Sequence, residues 1–151
     1  TTYIAQNMGA RKFDRVKKGF KSFLWLGNLY AVVMGILLCF FSAGPLRLFT
    51  SDPEVVHFGG MMGQVLGPGY ILLITCQILI GTARGAGDTF STMLLSILNL
   101  CGLRILWLTI MIPLFPSIYT LYLGYPVTWG TAAVCMGIYY RKKIKPRLGL
   151  S

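Results

Sequence analysis

Acidic residues are nearly absent: Asp14, Asp52, Glu54 and Asp88 are the only four in 151 residues. None falls inside a long apolar stretch, and the single histidine, His57, offers no His/Cys cluster. The residues for a buried enzyme centre are therefore missing. No catalytic residue, metal ligand or cofactor is expected. Charge is scarce overall, at 12% of residues against about 25% in ordinary soluble domains. With mean hydropathy at +0.67, that deficit excludes a soluble globular domain and leaves an integral membrane protein. The four cysteines, Cys39, Cys76, Cys101 and Cys135, are far apart, with no C-x-x-C pair. They read as reduced thiols acting as small hydrophobes. The first twenty residues hold no apolar signal-peptide core, and the chain starts at Thr1. It reads as beginning inside a longer polypeptide.

What charge there is has a pattern. Of fourteen cations, six lie at Arg11, Lys12, Arg15, Lys17, Lys18 and Lys21, and five at Arg141, Lys142, Lys143, Lys145 and Arg147. Only Arg47, Arg84 and Arg104 lie between. Cations flanking apolar runs fit the positive-inside rule better than a phosphate-tracking stripe, so no nucleic acid is expected as a partner. A bilayer-crossing helix needs about 20 apolar residues. Residues 22–46 and 58–80 each supply one span. The stretch from Thr89 to Tyr140 is long enough for two, and Pro113-Leu114-Phe115-Pro116 breaks it into 91–112 and 117–140. Both chain ends are basic, which requires an even number of spans, and four satisfies it. Residues 1–21, the link at Arg84–Asp88 and the tail 141–151 then face the cytoplasm.

The loops carry helix punctuation. Asp52-Pro53-Glu54 reads as an N-cap, a first-turn proline and a first-turn acid; an external cation-binding pair is the alternative. In Arg84-Gly85-Ala86-Gly87-Asp88-Thr89, Gly85 and Gly87 permit positive φ for a turn, and Asp88 or Thr89 can cap the next helix. A cytoplasmic gate is the functional alternative there. Phe13, Val16, Phe20 and Phe23, interleaved with cations, predict one amphipathic interfacial helix through 1–21 into span one. Pro126, beside Gly124, predicts a kink or unwinding in span four.

Polar groups inside spans are the functional candidates. Arg104 is the only charge within a predicted span. It is either a cavity or gate residue, or a structural arginine bonded to its neighbours. Gln77 and Asn99 are cavity-lining candidates or interhelical hydrogen bonders. Tyr70 and Trp107 are candidates for contact with an aromatic cation.

Three ordered motifs tie these features together. They are Gln6-Asn7-Met8-Gly9-Ala10 followed by Arg15, Leu48-Phe49-Thr50-Ser51-Asp52-Pro53-Glu54-Val55, and Gly81-Thr82-Ala83-Arg84-Gly85-Ala86-Gly87-Asp88-Thr89. The chain resembles the multidrug and toxin extrusion (MATE) family of transporters. The resemblance implies an all-α, polytopic transmembrane bundle. The chain would be the last four helices of a twelve-helix, two-lobe fold, at the C-terminal end of the second lobe. It implies a secondary active antiporter in the plasma membrane, multi-pass with a cytoplasmic C-terminus. Small organic, often cationic, drugs or toxins would be exported against H⁺ or Na⁺ influx by alternating access. The implied partners are membrane lipid, the substrate, the coupling ion and the missing N-terminal lobe. Sodium-coupled members carry an acid in the helix matching span two, and Tyr70–Gln77 has none. A lipid-linked oligosaccharide flippase of the same superfamily and a non-transporting membrane scaffold are the alternatives.

Overall fold

A computed structural model describes residues 1–148, so the last three residues of the 141–151 tail lie outside the described residues. The longest helix shows how local chemistry sets an element. It runs Pro53–Gly85 (α4), starts on Asp52, and its first free amide, that of Glu54, donates to Asp52 Oδ1 at 2.9 Å. Its end is a Schellman motif, in which Gly87 N–H donates to Arg84 O and Asp88 N–H to Ala83 O, both at 3.0 Å. That motif needs one left-handed residue, and Gly87 supplies it at φ 88°.

Before α4 come α1 (Thr2–Gly9), α2 (Phe13–Phe41) and a single turn, α3 (Ala43–Leu46). After it come α5 (Thr89–Ser96), a π-helical segment Ile97–Gly102 and α6 (Leu103–Leu114). Then follow α7 (Ile118–Tyr139), a second π segment Tyr140–Ile144 and α8 (Lys145–Arg147). There is no strand among the described residues. The fold is an all-α polytopic membrane bundle. By length and composition, Phe13–Phe41, Pro53–Gly85 and Thr89–Leu114 can cross a membrane. α7 is 22 residues long, about 33 Å at 1.5 Å per residue, and tyrosine, threonine and glycine recur in it.

α4 is the central helix, packed between α2 and α7. Small residues let it approach α2 closely. A Cβ on Gly35 would sit 2.6 Å from the Gly67 carbonyl oxygen, and one on Gly67 would sit 2.6 Å from that of Gly35. Without a hydrophobic drive between helices in lipid, such backbone contact is what dispersion rewards. Polar pairs add to it. Thr75 Oγ1 donates to Asn28 Oδ1 at 2.9 Å, and Ser42 Oγ to the Gly60 carbonyl at 3.2 Å. Pro68 lies inside α4 and has no N–H to give to the Gln64 carbonyl one turn back. The Cys39 thiol donates to that carbonyl at 3.8 Å.

Several expectations are corrected. Residues 1–21 are not one interfacial helix. The chain breaks after α1 in another Schellman pattern, Arg11 N–H to Met8 O (3.0 Å) and Lys12 N–H to Asn7 O (2.8 Å), with Arg11 at φ 55°. A non-glycine residue there costs about 1 kcal/mol or more. The return is that α1 packs on α2 and α4, where Ile4 and Val16 are fully buried. Gly85 is helical rather than left-handed. It matters instead by closeness, since a Cβ there would lie 2.7 Å from Ile4 Cβ and from the Thr1 carbonyl oxygen. Pro126 does not unwind α7, which is continuous through it. The irregularity falls in the neighbouring helix, at Ile97–Gly102.

Candidate functional site

Arg104 is the first place where the bundle concentrates chemistry. It stands on the first turn of α6, directly after the π segment, and faces α7 across the hairpin that turns at Phe115–Ser117. Its Nη2 donates to Thr128 Oγ1 at 2.7 Å. Its guanidinium carbon lies 3.6 Å from the centroid of the Tyr125 ring. Thr128 is buried and also donates within α7, with its Oγ1 2.8 Å from the Gly124 carbonyl. Tyr125 meets Trp129 edge-on at 5.9 Å, and Trp129 meets Tyr70 of α4 edge-on at 6.1 Å. A cation over a desolvated aromatic face contributes about 2 kcal/mol. A hydrogen bond from a charged donor contributes about 1.5–3 kcal/mol. Together they explain how one charge is tolerated among apolar helices. Among its donors, Arg104 Nε is buried and has no hydrogen-bond partner.

The predicted site residues separate. Tyr70 joins Arg104 through Trp129 and Tyr125. Trp107 is occupied with packing. Its indole N–H donates to the Thr120 carbonyl at 2.9 Å, and its ring covers Gly124, where a Cβ would be 2.9 Å away. Asn99 sits within the π segment and donates to the Leu95 carbonyl of its own helix at 3.0 Å. Gln77 is exposed on another face, lining an apolar groove of about 540 Å³ with Thr1, Phe23 and Ile78. Thr128, Tyr125 and Trp129 do not stand out in the sequence as partners of Arg104. Hairpin arithmetic finds Thr128, because Arg104 and Thr128 stand equally far from Pro116.

The second concentration is the link. Arg84 is exposed in the last turn of α4, where a cation complements the negative end of the helix. Asp88 holds the N-cap position of α5 but makes no side-chain capping bond, which corrects that expectation. Thr89 is the first residue of α5, and its carbonyl accepts from Thr92 Oγ1 at 2.9 Å. The Asp88 carboxylate turns to the end of the chain instead. It accepts from the Tyr139 hydroxyl and pairs with Arg147 at 3.3 Å. Hydrogen bonding by Tyr139, then by Ser91, with the Arg147 charge a smaller influence, holds the Asp88 carboxyl below the usual carboxylate range. By sequence Tyr139 reads as a membrane-interface or packing residue. No local pattern signals its pairing with Asp88, 51 positions away.

The other loop motif lies against the link. Asn7 donates to the Tyr3 carbonyl at 2.8 Å, and the Tyr3 hydroxyl reaches the Arg15 carbonyl at 3.4 Å. The Gln6 carbonyl accepts from Ala10 N–H at 3.0 Å, and Gly9 ends α1. Thr1 and Ile4 cover Gly85. The helix that carries the first motif, α1, therefore packs at the same end of the bundle as the link.

The stretch that holds these motifs matches a known family. The family model described as MatE matches residues 1–110. The chain belongs to the MatE family. Among relatives, "Probable multidrug resistance protein YoeA" of Bacillus subtilis is 26% identical over 145 residues, covering 92% of this chain and 30% of that protein. "Probable multidrug resistance protein NorM" of Thermotoga maritima is 24% identical over 105 residues, covering 70% of this chain and 23% of that protein. The chain thus spans less than a third of either relative. This MatE chain is membrane-embedded, and its helices match the family through the link and most of α6.

Proposed function

We propose that these residues form the last four spans of the second lobe of an efflux antiporter. α7 is the fourth span, its polar side chains shielded by α4 and α6. The whole transporter exports small organic, often cationic, compounds from the cytoplasm across the plasma membrane. It does so by rocking two lobes about a central cavity, with H⁺ or Na⁺ influx as the driving force and no enzymatic step. The observation that carries this reading is the MatE match over residues 1–110. The names of both relatives as probable multidrug resistance proteins support the substrate class.

Within that reading, Arg104 is a cavity residue. Thr128 and Tyr125 fix its guanidinium, which leaves donors for a group contributed by the remaining helices. An intramembrane charge belongs on a bundle interior or a water-filled path. Its electrostatic effect is to discriminate between substrates by charge.

The test is reconstitution of the full polypeptide that contains this chain, with a fluorescent organic cation and an imposed H⁺ or Na⁺ gradient. Gradient-driven accumulation is expected. Arg104→Met should alter it at least tenfold while melting temperature changes little, because the lost contacts are offset by no longer holding a charge among apolar helices. Absence of gradient-driven movement, with flipping of a labelled lipid-linked oligosaccharide in its place, would overturn the proposal.

A further inference from the structure

The outward face of α2 changes character once along its length. Lys17, Lys18 and Lys21 are exposed on it, followed at steps of three or four residues by Trp25, Leu29, Val32 and Ile36. Trp25 is 67% exposed, the highest value among the exposed apolar residues from Tyr3 to Ile36. Two grooves run beside it. One, of about 510 Å³, is lined by Lys21, Leu24, Trp25, Asn28, Leu29 and Val32. The other, of about 430 Å³, is lined by Lys21, Ser22, Trp25 and Leu26. Both start at Lys21 and pass on opposite sides of the same indole.

We infer that this face is a binding site for one anionic diacyl glycerophospholipid, with its headgroup on Lys21 and its two chains straddling Trp25. The dimensions agree. From Lys21 to Val32 is eleven residues, about 16 Å of helix, and one leaflet's share of a 30 Å hydrocarbon core is about 15 Å. Charge agrees as well. Three cations stand where the phosphate would lie; Asp14 shares their face one turn earlier, farther from the hydrocarbon, so the face keeps a net positive charge. Ser22 adds a hydroxyl beside the headgroup, and a tryptophan at headgroup depth is where its amphipathic ring is stable. Each lysine near an anionic lipid surface contributes about a fivefold preference. The inference rests on α2 crossing the membrane and not on transport.

Native mass spectrometry of the full polypeptide, with dioleoyl phosphatidylglycerol and dioleoyl phosphatidylcholine as probes, tests it. The anionic lipid should be retained at least about tenfold better. Lys21→Gln should lower that preference about fivefold, and Trp25→Ala should weaken both lipids alike. Soluble glycerol phosphate should not compete, because it lacks the chains. Brominated phosphatidylglycerol should quench fluorescence that Trp25→Phe removes. Equal retention of the two lipids would overturn the site. So would Lys142→Gln/Lys143→Gln matching the effect of Lys21→Gln, competition by glycerol phosphate, or no quenching, which would mean another helix covers the face.

Discussion

The two ends of this bundle are built differently. At the link end, Ile4, Val16, Leu79, Ile80, Ala83, Met136, Tyr140, Ile144 and Leu148 form one buried cluster. Phe20 stacks on Tyr140 at 4.6 Å across it, and Asp88 holds Tyr139 and Arg147 at its edge. At the opposite end, Leu48 and Phe49 are 84% and 88% exposed. An open basin of about 830 Å³ lies between Arg47, Thr50, His57, Gln64 and Tyr119. The difference is one of partners. The link end is closed by segments of this chain itself: α1, the link and the tail. The opposite end presents apolar surface, at Leu48 and Phe49, that further protein or lipid can cover.

The comparison can be broken most severely in the tail. Ile144→Ala should destabilise the bundle by about 2–5 kcal/mol, as for other large-to-small core changes. Phe49→Ala at the open end should stay within about 0.5 kcal/mol. Thermal unfolding in one detergent compares the two, and equal effects would erase the distinction. Glycines give a second contrast. Gly85→Val forces a side chain into Ile4 and the Thr1 carbonyl and should cost about 1–3 kcal/mol or displace α1. A Cβ on Gly44 would meet nothing within 4 Å, so Gly44→Ala should be near neutral.

The smallest effect concerns pH. The Asp88 carboxyl is held below its usual range, so the folded state keeps it ionised more readily than the unfolded chain does. Its contribution is present above the unfolded pKa of about 3.9 and is lost as pH falls through the lower folded value. Wild type and Asp88→Asn should therefore differ in tail amide exchange at pH 6–8, and the difference should shrink below about pH 4. A difference that grows in acid would contradict the pairing.

Local chemistry is readable from the residues. Asp52-Pro53-Glu54 and Gly87 do what cap and turn chemistry requires, because each acts within a few positions of itself. The break at Arg11 is not readable. An arginine in the left-handed region is locally unfavourable, and only the burial of Ile4 beneath the end of α4 accounts for it. Asn99 and Arg104 are visible as polar groups in an apolar run, but the π segment that holds Asn99 and ends just before α6 has no composition of its own. The Asp88–Tyr139 contact joins residues brought together only when α7 returns to the link end. For Arg104 the candidate is legible and its partners are not, although the Pro116 turn holds the register that places Thr128 opposite it.

The assignment of the closed end to the cytoplasm is the central claim, and labelling in intact cells tests it most directly. In a full polypeptide whose native cysteines are replaced, Thr50→Cys and Phe115→Cys should react with a membrane-impermeant maleimide from outside. Ala86→Cys should react only after the membrane is permeabilised. Labelling of Ala86→Cys from outside would contradict both the four-span arrangement and the placement of the packed link end.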